Sequence, residues 1–477
     1  MKTKIFYLVF FSLSLFLTSC SNDDDGPMPQ PQPEPQEQNI VDIALETPEL
    51  SSLVAALSRA DGDLVSILSS DGPFTVLAPT NDAFSAFLSE NGFSSLEQVP
   101  TDVLSQILLN HVIMSNVKAN DLISMGSGYT SGSATGAGSQ NISIYFDTAN
   151  GVMFNNTAMV TTADVEASNG TIHIIDSVLD LPDVVDHALA NSSFSSLVAA
   201  LGAADGDLVN LLKNGDGPFT VLAPDNNAFT TFLNGTPLGD VDTAVLSQIL
   251  LNHVINGTAL TSTDLVDAGA GYTNTAATGP GANALSLYFN TNSGVMFNGI
   301  SSVAQADVVG TNGIIHAVDT VIDIPTVVTF ALADPNFSTL VSALTDLTPA
   351  TDFAAILSRT EGSNTDGINP DFTVFAPTND AFAALDSVPA EAVLTQVLLH
   401  HVIAEANVTS GDLNNPGDTT AGTLQGDNIT ITLPGTGDNI ANVTDGSGAT
   451  DIGIIAVDVQ AGNGVIHVIN KVMIPNL

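Results

Sequence analysis

Histidine is the side chain best suited to acid–base or metal chemistry near neutral pH, and most of the eight histidines of this 477-residue chain fall into two recurring settings. His111, His253 and His401 each stand one residue beyond an Ile/Val-Leu-Leu run, and His173, His316 and His467 each follow Gly-x-Ile. A hydrolytic or metal-binding site needs convergent partners, and no third His, Cys or Glu recurs beside these two sets. Asp176 and Asp319 follow the second set by three positions, but Asn470 stands there in the third copy, so a carboxylate base would be missing from one site in three. There is no glycine-rich phosphate loop followed by Lys, no nucleophile elbow and no Trp. The expectation is a non-enzyme with no catalytic residue, no cofactor and no metal ligand set, in which the histidines are hydrogen-bonded core residues. Tyr129, Tyr145, Tyr272 and Tyr288 are read as sheet-packing aromatics, with a carbohydrate-facing role as the alternative.

The elements that would position these residues come in three copies. Gly72 to Phe84 recurs from Gly217 to Phe229 and from Asp371 to Phe382, a period of about 145 residues. Phe74 to Leu77 is an apolar, β-branched run and reads as a buried strand that Pro79 ends. Thr80, Asp225 and Thr378 share one capacity, a side-chain oxygen able to cap a helix, so strand, turn and capped helix follow one another. The signature residues are therefore Phe74, Pro79, Thr80 and Phe84, then Phe219, Pro224, Asp225 and Phe229, then Phe372, Pro377, Thr378 and Phe382.

Leu50, Leu53, Val54 and Leu57 fall at helical spacing, as do Phe194, Leu197, Val198, Leu201 and Phe337, Leu340, Val341, Leu344. These predict an opening helix in each copy. The Asp61-Gly-Asp63 and Asp205-Gly-Asp207 triplets read as turns, lacking the ligand series of a calcium loop. His111 lies seven positions beyond Leu104 on a second apolar helical face. The Gly/Ser-rich stretches from Gly126 to Gln140 and from Gly269 to Ala282 read as exposed loops. Ile142–Phe146 and Val152–Phe154 read as a hairpin around Asn150-Gly151. The third copy has Asn428-Ile-Thr-Ile-Thr-Leu433 at that place, without the aromatics, so its surface should differ. A closing strand, apolar on both faces, carries Asn169-Gly-Thr-Ile-His173 and its repeats.

The run Phe-Thr-Val-x-Ala-Pro-x-x-x-Ala-Phe, the block around His111 and the block around His173, in that order three times over, resemble the signatures of the fasciclin domain. The resemblance implies an α+β fold of three tandem fasciclin-like domains, each a β-sheet wedge with several short α-helices packed on it, over residues 39–182, 183–325 and 326–477. It also implies an adhesion-type or matrix-binding function. In the family the helix block often carries a Tyr-His pair linked to integrin binding in animal proteins; Asn110, Asn252 or His400 precedes the histidine here, which argues against that partner.

The N-terminus indicates destination. Lys2 and Lys4 precede an apolar segment from Ile5 to Leu17 that is short for a bilayer, and Leu17-Thr-Ser-Cys20 resembles a bacterial lipobox. Residues 1–19 are expected to be a signal peptide and Cys20, the sole cysteine, the site of lipid attachment. Residues 20–38, with Asp23–Asp25 and a Pro/Gln/Glu tract, read as a disordered tether with ~3 Å of reach per residue. The acidic cluster resembles a surface-export signal of bacterial lipoproteins. The expected location is the bacterial outer membrane, lipid-anchored and facing the cell exterior.

Seven basic residues stand against fifty-one acidic ones, a net charge of −44. A chain so poor in Lys and Arg does not suit nucleic acid or an anionic lipid surface. The partners that fit are a matrix protein, a polysaccharide or a neighbouring cell surface, with homotypic association and divalent cations left open. A glycan- or small-ligand-binding lipoprotein serving nutrient capture is the alternative function.

Overall fold

The computed structural model describes residues 37–477. The expected signal peptide, Cys20 and all but the end of the expected tether lie outside the described residues.

The first copy opens with α1 (Ile40–Glu46), α2 (Ser51–Arg59) and α3 (Leu64–Leu68), followed by β1 (Phe74–Pro79), α4 (Asn81–Glu90), α5 (Thr101–Asn110), β2 (Val112–Ile113) and α6 (Ala119–Met125). Five strands complete it: β3 (Ser127–Thr135), β4 (Asn141–Asp147), β5 (Met153–Phe154), β6 (Ala158–Ala167) and β7 (Gly170–Ile175). They form a seven-stranded sheet in the order β2-β1-β7-β6-β5-β4-β3. The β1–β7 pair is parallel, with Phe74 opposite Gly170 and Leu77 opposite His173, and the other pairings are antiparallel. The second and third copies repeat this strand order.

Two apolar layers follow from the period-two alternation of β1. Phe74, Val76 and Ala78 enter a cluster with the helices, including Leu53, Leu57, Phe84, Leu104 and Leu108. Leu77 points to the other face, where it meets Ile175 of β7 and Ile144, Phe146 and Phe154 from the outer strands. Val221 and Ala223 against Leu222, and Val374 and Ala376 against Phe375, divide in the same way. The wedge is therefore a sheet with cores on both faces, and β7 lies in its interior.

Four details depart from the sequence reading. Gly126–Gln140 is not a loop: Ser127–Thr135 is the edge strand β3, paired with β4, and Ala270–Thr278 is its counterpart. Pairing needs only the backbone, and a small-residue polar edge resists unwanted partners. A short helix precedes each expected opening helix, as α1, Val184–Ala190 and Val327–Ala333. β1 takes in Ala78 and Pro79 beyond the expected Phe74–Leu77 before it ends, because β2 reaches only as far as Thr75 and Val76, so the missing amide deprives no neighbour. His111 lies just beyond α5, as its C-cap, rather than on the helix.

Candidate functional site

His111 is 2 % exposed. Its Nδ1 lies 2.7 Å from the Ile107 carbonyl and its Nε2 accepts the Leu179 amide at 2.9 Å. The first contact requires a proton on Nδ1 and the second a lone pair on Nε2, so the ring is neutral with its tautomer fixed. His253 repeats the pair with Ile249 and Ile322, and His401 with Val397 and Met473, at the same distances. Burial holds all three near a pKa of about 4, against a small opposing pull from the carbonyl.

The strand histidines are also internal. Their Nε2 atoms meet the carbonyls of Val117, Leu260 and Val408 at 3.0, 2.9 and 2.8 Å. In the first two copies Nδ1 accepts the amide of Asp164 or Asp307 at 3.3 Å. Those aspartates occupy a left-handed bulge in the strand before, and Asp458 does so in the third copy. Their carboxylates accept the amides of Ala119, Ser262 and Ser410, the first residues of α6 and of its counterparts, earlier in each domain. Each of these imidazoles is pushed below its ordinary range, chiefly by burial.

The signature phenylalanines Phe74, Phe84, Phe219, Phe229, Phe372 and Phe382 are buried. Pro79, Pro224 and Pro377 end their strands. Thr80 and Thr378 accept the amides of Ala83 and Ala381 at 3.2 Å, and Asp225 accepts that of Ala228 at 2.7 Å. Asp176, Asp319 and Asn470 each accept one amide from the neighbouring strand, which explains why Asp and Asn exchange there.

Asn169, Asn312 and Asn463 were not singled out from the sequence. The Asn463 side chain donates to Leu357 and Arg359 and accepts from Val327, tying the closing strand to two helical segments. Asn169 makes the corresponding three bonds, and Asn312 accepts from Val184 and donates to Leu212. Their signal was the Asn-Gly that precedes every closing strand. No group of three or more His, Cys, Asp or Glu able to hold a metal occurs among the described residues.

The fasciclin domain model matches residues 48–182, 192–325 and 335–475. The chain belongs to the fasciclin domain family. Human periostin is 28 % identical over 456 residues, covering 92 % of this chain and 47 % of periostin. Pig transforming growth factor-beta-induced protein ig-h3 is 27 % identical over 451 residues, covering 92 % of this chain and 57 % of the relative. This chain thus spans about half the length of these relatives. Protein sll1483 of Synechocystis is 40 % identical over 140 residues, 29 % of this chain and 72 % of that protein. A solved domain pair from the insect cell adhesion molecule Fasciclin I has 21 % identity and a TM-score of 0.37, covering 58 % of this chain and 97 % of that one.

Within this fasciclin protein the position before the helix histidine cannot serve as a contact point. Asn110, Asn252 and His400 are each 0 % exposed. Asn110 and Asn252 donate to the carbonyl chain after the closing strand, and His400 Nε2 accepts the Gly446 amide. Repetition on the outside lies elsewhere. Leu45, Leu189 and Leu332, at one place on the short first helix of each domain, are 62 %, 55 % and 66 % exposed. Val103, Val245 and Val393 are likewise exposed at one place on the later helix.

Proposed function

We propose that this fasciclin protein is a non-enzymatic adhesion module carried on a lipid-anchored tether at a bacterial outer membrane, facing outward, where it holds the cell to a matrix protein, a polysaccharide or a neighbouring cell. Fasciclin domains occur in cell-adhesion proteins, and the lipobox at Cys20 supports the tether. The observation that carries the reading is the threefold exposed leucine, Leu45, Leu189 and Leu332. An exposed leucine contributes on the order of 2 kcal/mol when a partner covers it. One such contact is weak, but three displayed on one chain add by effective concentration rather than by new contacts. The recurring histidines support the non-enzymatic part, since both ring nitrogens of His111, His253 and His401 are engaged with the backbone.

Cells lacking the gene are expected to attach and aggregate poorly, and complementation with a chain carrying Leu→Ser at all three positions should fail to restore attachment. Each single replacement should retain most of it. Full attachment by the triple variant would remove the leucines from the reading.

A glycan-binding role has one observation in its favour. A polar cleft of about 650 Å³ between the first two domains is lined by Ser131, Gln140, Asn141, Thr261, Thr263 and Asp264. Lost growth on a single polymer, with attachment intact, would select this reading over adhesion.

A further inference from the structure

The two places where consecutive domains meet are built alike. At the first, the Tyr129 ring of β3 packs edge-on against His187 of the next domain's first helix, with ring centres 5.8 Å apart. Its hydroxyl accepts from Asn191 at 3.3 Å. At the second, Tyr272 meets Phe330 at 5.7 Å and donates its hydroxyl proton to Asp334 at 3.1 Å. Tyr145 and Tyr288 stack on those tyrosines from the adjoining strand, at 5.2 and 5.0 Å. The hydroxyl of Ser143 accepts the Val309 amide at 2.9 Å, and that of Ser286 accepts the Gln460 amide at 3.0 Å.

Backbone proximity repeats as well. A β-carbon at Gly136 would lie 2.7 Å from the Gly310 carbonyl oxygen, and one at Gly279 would lie 2.8 Å from that of Ala461. Only glycine permits this approach. The apolar cores run across the joints, since Tyr129 packs on the second domain's cluster and Tyr288 belongs to the third's.

The third domain lacks this face. Asp418 and Thr432 are paired across the same two strands as Tyr272 and Tyr288, with Thr432 between the inward-facing Ile431 and Leu433 as Tyr288 is between Leu287 and Phe289. Thr432 donates to the Asp418 carboxylate at 2.7 Å, and Asp418 is exposed.

We infer that the tyrosine-bearing outer edge of a domain is a docking surface whose partner is the first helix and bulged strand of the domain that follows, and that the third domain has exchanged this surface for a polar cap that does not accept such a partner. The joint is held by surface complementarity, so the covalent connection is dispensable to it.

The test uses the full chain with a flexible Gly/Ser segment and a protease site inserted between Ile324 and Pro325. After cleavage the two pieces are expected to co-elute in gel filtration, and before it small-angle scattering should give an unchanged maximum dimension. The same insertion combined with Tyr272→Asp and Tyr288→Thr, which copies the cap onto the second domain, should release the pieces on cleavage and lengthen the intact particle. Melting curves and circular dichroism of the uncleaved chains separate opening of the joint from misfolding of a domain. Pieces that part without the tyrosine changes, or that stay together with them while every domain remains folded, would overturn the inference.

Discussion

The imidazole of His111 and the amide of Leu179 are 68 positions apart in sequence and joined by a 2.9 Å hydrogen bond in which the ring is the acceptor. With the other nitrogen committed to Ile107, the ring bridges the end of α5 to the chain leaving β7. It cannot take up a proton without facing one donor with another.

Acid should therefore unfold this protein earlier than its carboxylates alone would. An exposed imidazole in the unfolded chain titrates near 6.5, whereas His111, His253 and His401 stay neutral in the fold down to about 4. Between those values the unfolded state binds protons that the native state refuses, so stability falls as pH drops through 6.5 and the loss levels off below about 4. Each histidine accounts for on the order of 3 kcal/mol across the full window. Urea midpoints at pH 7.5, 6 and 4.5 should descend steadily; a flat series would contradict the locked tautomer.

Replacing His111 by alanine should lower the melting temperature of the first domain. The change strands the Leu179 amide and the Ile107 carbonyl and opens a ring-sized void, together costing about 3 kcal/mol. Calorimetry that leaves the first domain's transition in place would refute a structural role.

At position 225 the cap matters and the charge does not. Asp225→Thr, which writes into the second domain the residue found at 80 and 378, should be nearly neutral, while Asp225→Ala should cost about 1 kcal/mol. Equal losses for both would show that the carboxylate, not the shared oxygen, is what the helix requires.

Asn463 is 1 % exposed and satisfies two carbonyls and one amide. Asn463→Asp keeps the shape but turns both donors into an acceptor beside two carbonyl oxygens, so it should destabilise the third domain by more than about 3 kcal/mol. Denaturant melts of that variant should show the third domain failing first; wild-type behaviour would mean the three-way tie is dispensable.

Much of this was legible in the residues. The β1–α4 unit was readable because alternation, proline and capping oxygen each point to one local geometry, and the buried histidines because they sit inside apolar runs. The edge strand at Ser127–Thr135 was hidden, since its glycines and serines weaken the strand preference and its pairing with β4 is a tertiary fact. The first helices went unread although Asn39 with Asp42, and Asp183 with Asp186, form capping boxes three residues apart. At seven residues each they offer too little apolar periodicity to register. The tyrosines were placed in the sheet correctly, but what covers them comes from the neighbouring domain, which no local pattern announces.

The residue ahead of each domain's first cap is gripped by an amide from beyond the bulged strand: Gln38 by Ser168, Pro182 by Thr311 and Pro325 by Gly462, at 2.9, 2.8 and 2.7 Å. Pro182 and Pro325 thus close one repeat on paper while being clasped by the next one in space. A recombinant second or third domain cut just after Pro182 or Pro325 would therefore begin with its first latch already undone.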